Sequence, residues 1–284
     1  ATVTNAAPFD STITNTASTD YDSNPSDDAG DGRAGTQLTD DADLTTPPPT
    51  IDKFLADPGD SNLVIGELVE YRIRIELPDG TSPITLTDIM PTLASSDGII
   101  SFQSGSVISV GSGISNANLS ATDAPTATDE IGADGFDDTV VFDFGVVTVV
   151  ENADADYNII EVEIVGLVED IPENMRDDGF TNTATLDYGT GTVSDTEDVS
   201  IGEPKLTLDK EGNLLAVFPG DTVTYTITVD HTFDSDAEAQ DITITDLLAD
   251  TNLSLVNGSV TAMIVGANGS PAPVIVQGNG GEGE

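Results

Sequence analysis

Three polar residues lie on the apolar side of strand-like sequence. Lys53 alternates with Ile51 and Leu55, Asp88 with Ile84 and Leu86, and Asn182 with Phe180, Ala184, Leu186 and Tyr188. In an extended chain residues two apart share a face, so an amine, a carboxyl and a carboxamide would each enter an apolar layer. Burying a lysine or a carboxylate without a partner costs several kcal/mol, so inward polar residues are expected to meet one another. The same parity returns in Leu206, Leu208 and Lys210, and in Ile242, Ile244 and Asp246. Two readings of the first trio involve no reaction. It could be a noncovalent buried cluster. Alternatively, Lys53 reaches water from a strand end, Asp88 caps the turn before Pro91, and Asn182 bonds to neighbouring backbone.

A second chemistry belongs to oxygen ligands. Asp20, Asp22, Asn24, Asp27, Asp28 and Asp31 crowd a glycine-containing stretch, a supply of carboxylates suited to Ca²⁺, which takes roughly 6–8 oxygens. The spacing is not that of an EF-hand loop. Asp129, Asp134, Asp137 and Asp138 form a weaker cluster, for which a solvated acidic surface is the leading reading. Nothing else suggests catalysis. The one histidine, His231, has no Ser or Cys partner nearby; the glycine-rich stretch at 278–283 lacks the lysine of a phosphate loop; and there is no Cys or Trp. The chain is therefore expected not to be an enzyme.

The 284 residues carry 7 Lys+Arg against 52 Asp+Glu, a net charge of −45. Such a charge excludes electrostatic binding to nucleic acid or anionic membranes and makes cations the natural partners. No apolar run approaches the length of a membrane-spanning helix, so membrane insertion of this segment is not expected.

Period-two alternation runs almost throughout. In 67–77, Val69, Tyr71, Ile73, Ile75 and Leu77 share one face and Glu70, Arg72, Arg74 and Glu76 the other. In 223–229, Val223, Tyr225, Ile227 and Val229 oppose threonines. Further strands are expected at 84–88, 140–144, 159–165, 180–188 and 242–246, with Gly, Asp, Asn, Ser and Pro between them. With no long amphipathic helix, the expected fold is all-β: tandem antiparallel β-sandwich domains.

An internal repeat sets the domain organisation. Thr50-Ile-Asp-Lys53 returns as Thr207-Leu-Asp-Lys210, Gly66 to Tyr71 as Gly220 to Tyr225, Ile84-Thr-Leu-Thr-Asp88 as Ile242-Thr-Ile-Thr-Asp246, and Gly105-Ser-Val107 as Gly258-Ser-Val260. Ile13-Thr-Asn15-Thr-Ala17 likewise resembles Phe180-Thr-Asn182-Thr-Ala184, and each is followed shortly by Asp-Tyr. Residues 1–45 are thus expected to be the end of a preceding repeat with an acidic loop, 46–203 a complete sandwich, and 204–284 the first part of a further repeat that stops mid-domain. The proline run 47–49 marks the first boundary.

The string Pro219-Gly-Asp-Thr-Val-Thr-Tyr-Thr-Ile-Thr-Val229, with Ile242-Thr-Ile-Thr-Asp-Leu-Leu248 and the closing Thr181-Asn-Thr-Ala-Thr185, resembles the bacterial surface repeats called domain of unknown function eleven. Val64-Ile-Gly-Glu67 lacks the proline of the second copy, and Asp79-Gly-Thr-Ser-Pro83 replaces the usual asparagine–glycine turn. The resemblance implies immunoglobulin-like or collagen-adhesin B-type sandwiches in long secreted or wall-attached proteins that build stalks or adhesins. In the adhesin and pilin domains such repeats resemble, a first-strand Lys and a last-strand Asn form an amide crosslink promoted by a buried acid. Carried over, this implies Lys53, Asp88 and Asn182 as a crosslinking trio, with Lys210 and Asp246 in the second copy and Asn15 in the preceding one. An apolar pocket would leave Lys53 neutral and nucleophilic, and a protonated Asp88 would polarise the Asn182 amide.

These readings together predict a structural, cation-stabilised segment of an extracellular or cell-surface repeat protein, a stalk, filament or adhesin component. Its partners would be neighbouring repeats or copies of itself. Two alternatives stay open: a module whose loops bind a surface glycan or protein receptor, and a self-assembling sheath subunit whose end fragments are completed by strand addition between chains.

Overall fold

β-branched and aromatic residues at alternate positions define the long strands of the computed structural model, which describes residues 1–21, 37–57, 61–92, 99–115, 119, 124–130, 135–172, 174–239, 242–248 and 252–263. Its strands are β1 (Thr12–Thr19), β2 (Leu38–Thr45), β3 (Thr50–Leu55), β4 (Asn62–Val64), β5 (Leu68–Glu76), β6 (Gly80–Ile89), β7 (Ile100–Val110), β8 (Ile114–Ser115), β9 (Thr126–Thr128), β10 (Thr139–Val149), β11 (Ile159–Val168), β12 (Gly179–Asp187), β13 (Thr192–Gly202), β14 (Leu206–Gly212) and β15 (Tyr225–His231). Among the described residues there is no helix. The protein is all-β.

Two of its sheets make one sandwich. The larger has the order β4-β13-β12-β6-β10-β8, with β9 also on β10; the smaller has the order β3-β5-β11-β7. Every pairing is antiparallel except that of β4 with β13. Tyr71, Ile73 and Ile75 of β5, Ile84 and Leu86 of β6, and Ile160, Val162 and Ile164 of β11 are all fully buried, as alternation requires. Each such side chain stabilises the fold by about 1.5–3 kcal/mol relative to exposure.

One strand breaks the simple rule. β10 buries Val140, Phe142 and Phe144, then Val147 and Val149, so the inward parity changes from even to odd. A bulge between Asp143 and Gly145 causes the change: Gly145 takes φ 64°, and its N–H donates to Asp143 Oδ1 at 2.9 Å. The expected strand 140–144 therefore runs on to Val149.

The chain forms two compact units, 1–238 and 239–284. Besides the sandwich, the first contains two separate hairpins, β1–β2 and β14–β15. Each is the counterpart of a pair inside the sandwich. The β1–β2 register Thr12↔Thr45 matches Gly179↔Ser200 of β12–β13, and β14–β15 pairs Lys210 with Ile227 as β3–β5 pairs Lys53 with Ile73. Leu206, Leu208 and Lys210 were expected to face inward; instead they are exposed, because among the described residues no second layer covers their hairpin. In the second unit the expected strand 242–246 is absent. Its counterpart β6 is held between β10 and β12, whereas 242–246 belongs to no sheet among the described residues.

Candidate functional site

The parity of Lys53, Asp88 and Asn182 is realised inside the sandwich. Lys53 lies on β3, an edge strand of the smaller sheet, and pairs with Ile73. Asp88 lies on β6, between β10 and β12 of the larger sheet, opposite Val140 and Ala184. Asn182, two residues before Ala184, is on the same face of neighbouring β12. The amine thus comes from one layer, the acid and the carboxamide from the other.

Lys53 Nζ is 2.5 Å from Asp88 Oδ2, and both side chains are wholly withdrawn from solvent. Nζ also sits over the ring of Tyr71, 4.5 Å from its centroid, which favours a cation electrostatically. Asn182 is fully buried and within electrostatic reach of Asp88 and Tyr71. Its nitrogen faces the Met90 sulfur at 3.9 Å. Among the described residues, Asn182 Oδ1, Asp88 Oδ1 and the Tyr71 hydroxyl have no hydrogen-bond partner. Unsatisfied buried polar atoms cost about 1–3 kcal/mol each, so three at one point demand an explanation.

Burial dominates the electrostatics. It lowers the Lys53 amine below its ordinary range, against the raising influence of Asp88, and raises the Asp88 carboxyl, against the lowering influence of Lys53. Tyr71 is raised for the same reason, with the Asp88 charge adding to the effect. Both members of the ion pair are thereby driven toward their neutral forms, amine and carboxylic acid. The strand-end reading does not fit: Lys53 does not reach water, the Asp88 carboxylate is buried against Lys53 instead of capping a turn, and the Asn182 side chain has no backbone partner among its hydrogen bonds.

Three neighbours of the site were not assigned to it from sequence. Tyr71 supplies the ring under Lys53. Asp195 of β13 accepts the Lys53 backbone N–H at 2.7 Å, joining the edge of β3 to the other sheet, and Glu197 lies within electrostatic reach of the amine. Glu197 itself is raised by burial first and then by Asp198. A signal did exist, since Asp195 and Glu197 share the parity of Val193, Val199 and Ile201.

The counterparts elsewhere are incomplete. Lys210 lies over the Tyr225 ring at 4.8 Å, repeating the Lys53–Tyr71 geometry on an exposed hairpin. Asn15 is exposed on β1, opposite Ala42, and Asp246 is exposed in the second unit. Of the calcium candidates, Asp20 is described and exposed, while Asp22, Asn24, Asp27, Asp28, Asp31 and Asp134 lie outside the described residues. Asp129 Oδ2 accepts the Gly135 N–H at 2.9 Å, and Asp138 Oδ1 accepts from Glu130 N at 3.1 Å and Thr139 Oγ1 at 2.8 Å. These carboxylates brace their own loop, and among the described residues no group of three or more His, Asp or Glu could hold a metal ion.

No family model matches the chain, and no curated protein matches it. Solved structures do show likeness. The N-terminal domain of the Streptococcus gordonii adhesin Sgo0707 aligns at 15% identity and TM-score 0.36, over 60% of this chain and 37% of that one. A 35 kDa C-terminal fragment of the Streptococcus agalactiae major pilin GBS80 aligns at 14% and 0.34, over 56% and 57%, and the Bacillus cereus major pilin subunit BcpA at 14% and 0.34, over 61% and 51%. The chain thus spans little more than half of these proteins at most. Likenesses this distant carry no residue role across, and the functional reading rests on the chain's own geometry.

Proposed function

We propose that the chain is a structural segment of an extracellular tandem-repeat protein, a stalk or filament component, whose complete sandwich is closed by an amide bond between Lys53 and Asn182. One observation carries this reading: the fully buried Lys53–Asp88 contact of 2.5 Å beside a buried asparagine whose Oδ1 has no partner among the described residues. The neutral amine attacks Asn182 Cγ while the Asp88 acid hydrogen-bonds Oδ1, which takes up charge as the tetrahedral centre forms. Collapse breaks the Cγ–Nδ2 bond. A proton relayed from the attacking amine through Asp88 leaves with the amide nitrogen as ammonia, Asp88 ends protonated as it began, and no oxidant is needed. The bond would tie β3 to β12 across the two layers, so tension on the chain would be borne covalently.

Intact mass spectrometry tests this directly. The purified chain is expected about 17 Da below its sequence mass, and Asn182→Ala is expected to restore the full mass, since the leaving ammonia comes from that amide. A wild-type chain at full mass would leave the trio as a noncovalent cluster.

Cation stabilisation belongs to the same reading, through the net charge of −45 and the carboxylates at 20–31. Calcium chloride is expected to raise the melting midpoint more than sodium chloride at equal ionic strength, and Asp22→Asn with Asp27→Asn to remove the difference. Equal shifts from the two salts in the wild-type chain would reduce the effect to general screening.

A further inference from the structure

We propose that successive repeats are fastened by a recurring interlock, in which the residue before a left-handed aspartate of one repeat docks against the segment that follows the first long strand of the next. Asp10 has φ 45° and Asp177 φ 65°, the two non-glycine residues with positive φ among those described. A left-handed conformation is unfavourable for a residue bearing a Cβ, so its recurrence indicates a geometry that both places require. The two aspartates stand at the offset that relates Ile13-Thr-Asn15 to Phe180-Thr-Asn182.

Their surroundings recur as well. Asp10 N–H donates to Pro47 O at 3.0 Å and Thr46 N–H to Ser11 O at 2.9 Å; Asp177 N–H donates to Ile201 O and Ile201 N–H to Asp178 O, both at 2.9 Å. In each case the aspartate loop is stitched to the end of the second strand of its hairpin, at Thr46 and Pro47 just past β2 and at Ile201 near the end of β13.

The preceding residue then reaches forward. At the first joint it is Phe9, fully buried although it precedes the sandwich in sequence. Its N–H donates to Ser82 Oγ at 3.0 Å, and its carbonyl accepts from Thr190 Oγ1 at 2.7 Å. Thr81 N–H donates to Ala7 O at 2.9 Å, and the Tyr188 hydroxyl to Asp10 Oδ2 at 3.1 Å. Gly80 makes room: a Cβ there would lie 2.5 Å from Ala7 O and 3.1 Å from the Phe9 ring. At the second joint the equivalent residue is Arg176. Its guanidinium binds the Asp236 carboxylate and the Asp234 carbonyl, while Lys205 Nζ meets Asp234 Oδ2 at 2.5 Å. Residues 232–236 follow β15 as 77–82 follow β5, so both keys reach the segment just after the first long strand of the repeat ahead. Two of only seven Lys and Arg residues serve this one contact.

The joints share geometry and differ in chemistry, one an apolar plug and the other an ion cluster only partly shielded from water. Salt should therefore loosen the second and spare the first. This inference goes beyond the crosslink and does not rest on it.

The chain contains no cysteine, so introduced pairs take spin labels selectively. Ser18→Cys with Val146→Cys spans the first joint, Asp143→Cys with Thr226→Cys the second, and all four positions are exposed. Distance distributions from pulsed electron spin resonance on the full chain are expected to be narrow for both pairs in dilute buffer. Sodium chloride at about 1 M, where the Debye length is about 3 Å, should broaden only the second. Arg176→Ala should broaden the second pair at every salt concentration. Gly80→Ala and, with no change to the sandwich backbone, Phe9→Ser should each broaden the first. Unchanged widths in Arg176→Ala, or in both first-joint variants, would overturn the interlock. The mass of the same samples reports the crosslink separately, so either idea can fail without the other.

Discussion

Lys53→Met is expected to lower the melting midpoint by about 6–20 °C and to abolish the mass deficit. Methionine keeps much of the length and volume of the lysine stem, so packing is largely conserved while the charge partner is lost. Asp88 is then alone, fully buried on a central strand. Removing one member of a buried pair costs about 3–5 kcal/mol, and about 2–4 °C accompanies each kcal/mol in a domain of this size. The pH dependence carries a sign. Burial already holds the Asp88 carboxyl above its ordinary 3.8, and loss of Lys53 removes the influence that lowered it. Between 3.8 and that raised value the folded state binds more protons than the unfolded state, so stability falls as pH rises through the window. Relative to wild type, Lys53→Met should therefore melt closer to normal near the low end of that window than at neutral pH. Lys53→Met combined with Asp88→Leu removes both charges and should recover most of the noncovalent loss, leaving the missing crosslink as the residual difference. Equal penalties for Lys53→Met and the double variant at every pH would show that Asp88 pays nothing for its isolation.

Asp88→Asn is expected to slow bond formation by about 10²–10⁴-fold with little change in shape, the range a positioned acid–base group contributes. Freshly purified variant should have the full sequence mass and lose about 17 Da only on prolonged incubation, if at all. The substitution separates two roles. The Asp88 charge raises the Lys53 pKa, so its removal leaves the amine more often neutral and, on that account alone, more reactive. A slower reaction would then belong to the lost acid that donates to Asn182 Oδ1 and relays the proton. A variant already at the lower mass when purified would mean that burial of the amine beside the amide suffices.

Much of this protein was legible in its residues. Alternation fixed the strand class and the inward faces of β5, β6, β11 and β12, because side-chain direction in an extended chain is a local property with period two. The same property placed Lys53, Asp88 and Asn182 on apolar faces, and the cost of isolated buried charge required them to find partners. The recurring segments were visible too, since finding them needs only comparison of the chain with itself. What local pattern could not supply was which faces meet. That Lys53 from the smaller sheet lands on Asp88 from the larger, over the Tyr71 ring and with Asp195 closing the strand edge, depends on contacts with residues 35 and 142 positions away as well as with the neighbouring strand. The bulge at Gly145 reverses the parity of β10 by one inserted residue, which period-two reading cannot place without the partner strand. Equivalent sequence is also exposed or buried according to what covers it: Lys210 repeats the geometry of Lys53 on an open hairpin. Phe9, which precedes the sandwich in sequence, is buried against it. Direction along a strand is set by neighbouring bonds, whereas enclosure is set by layers brought together from distant parts of the chain, and only the tertiary structure decided those.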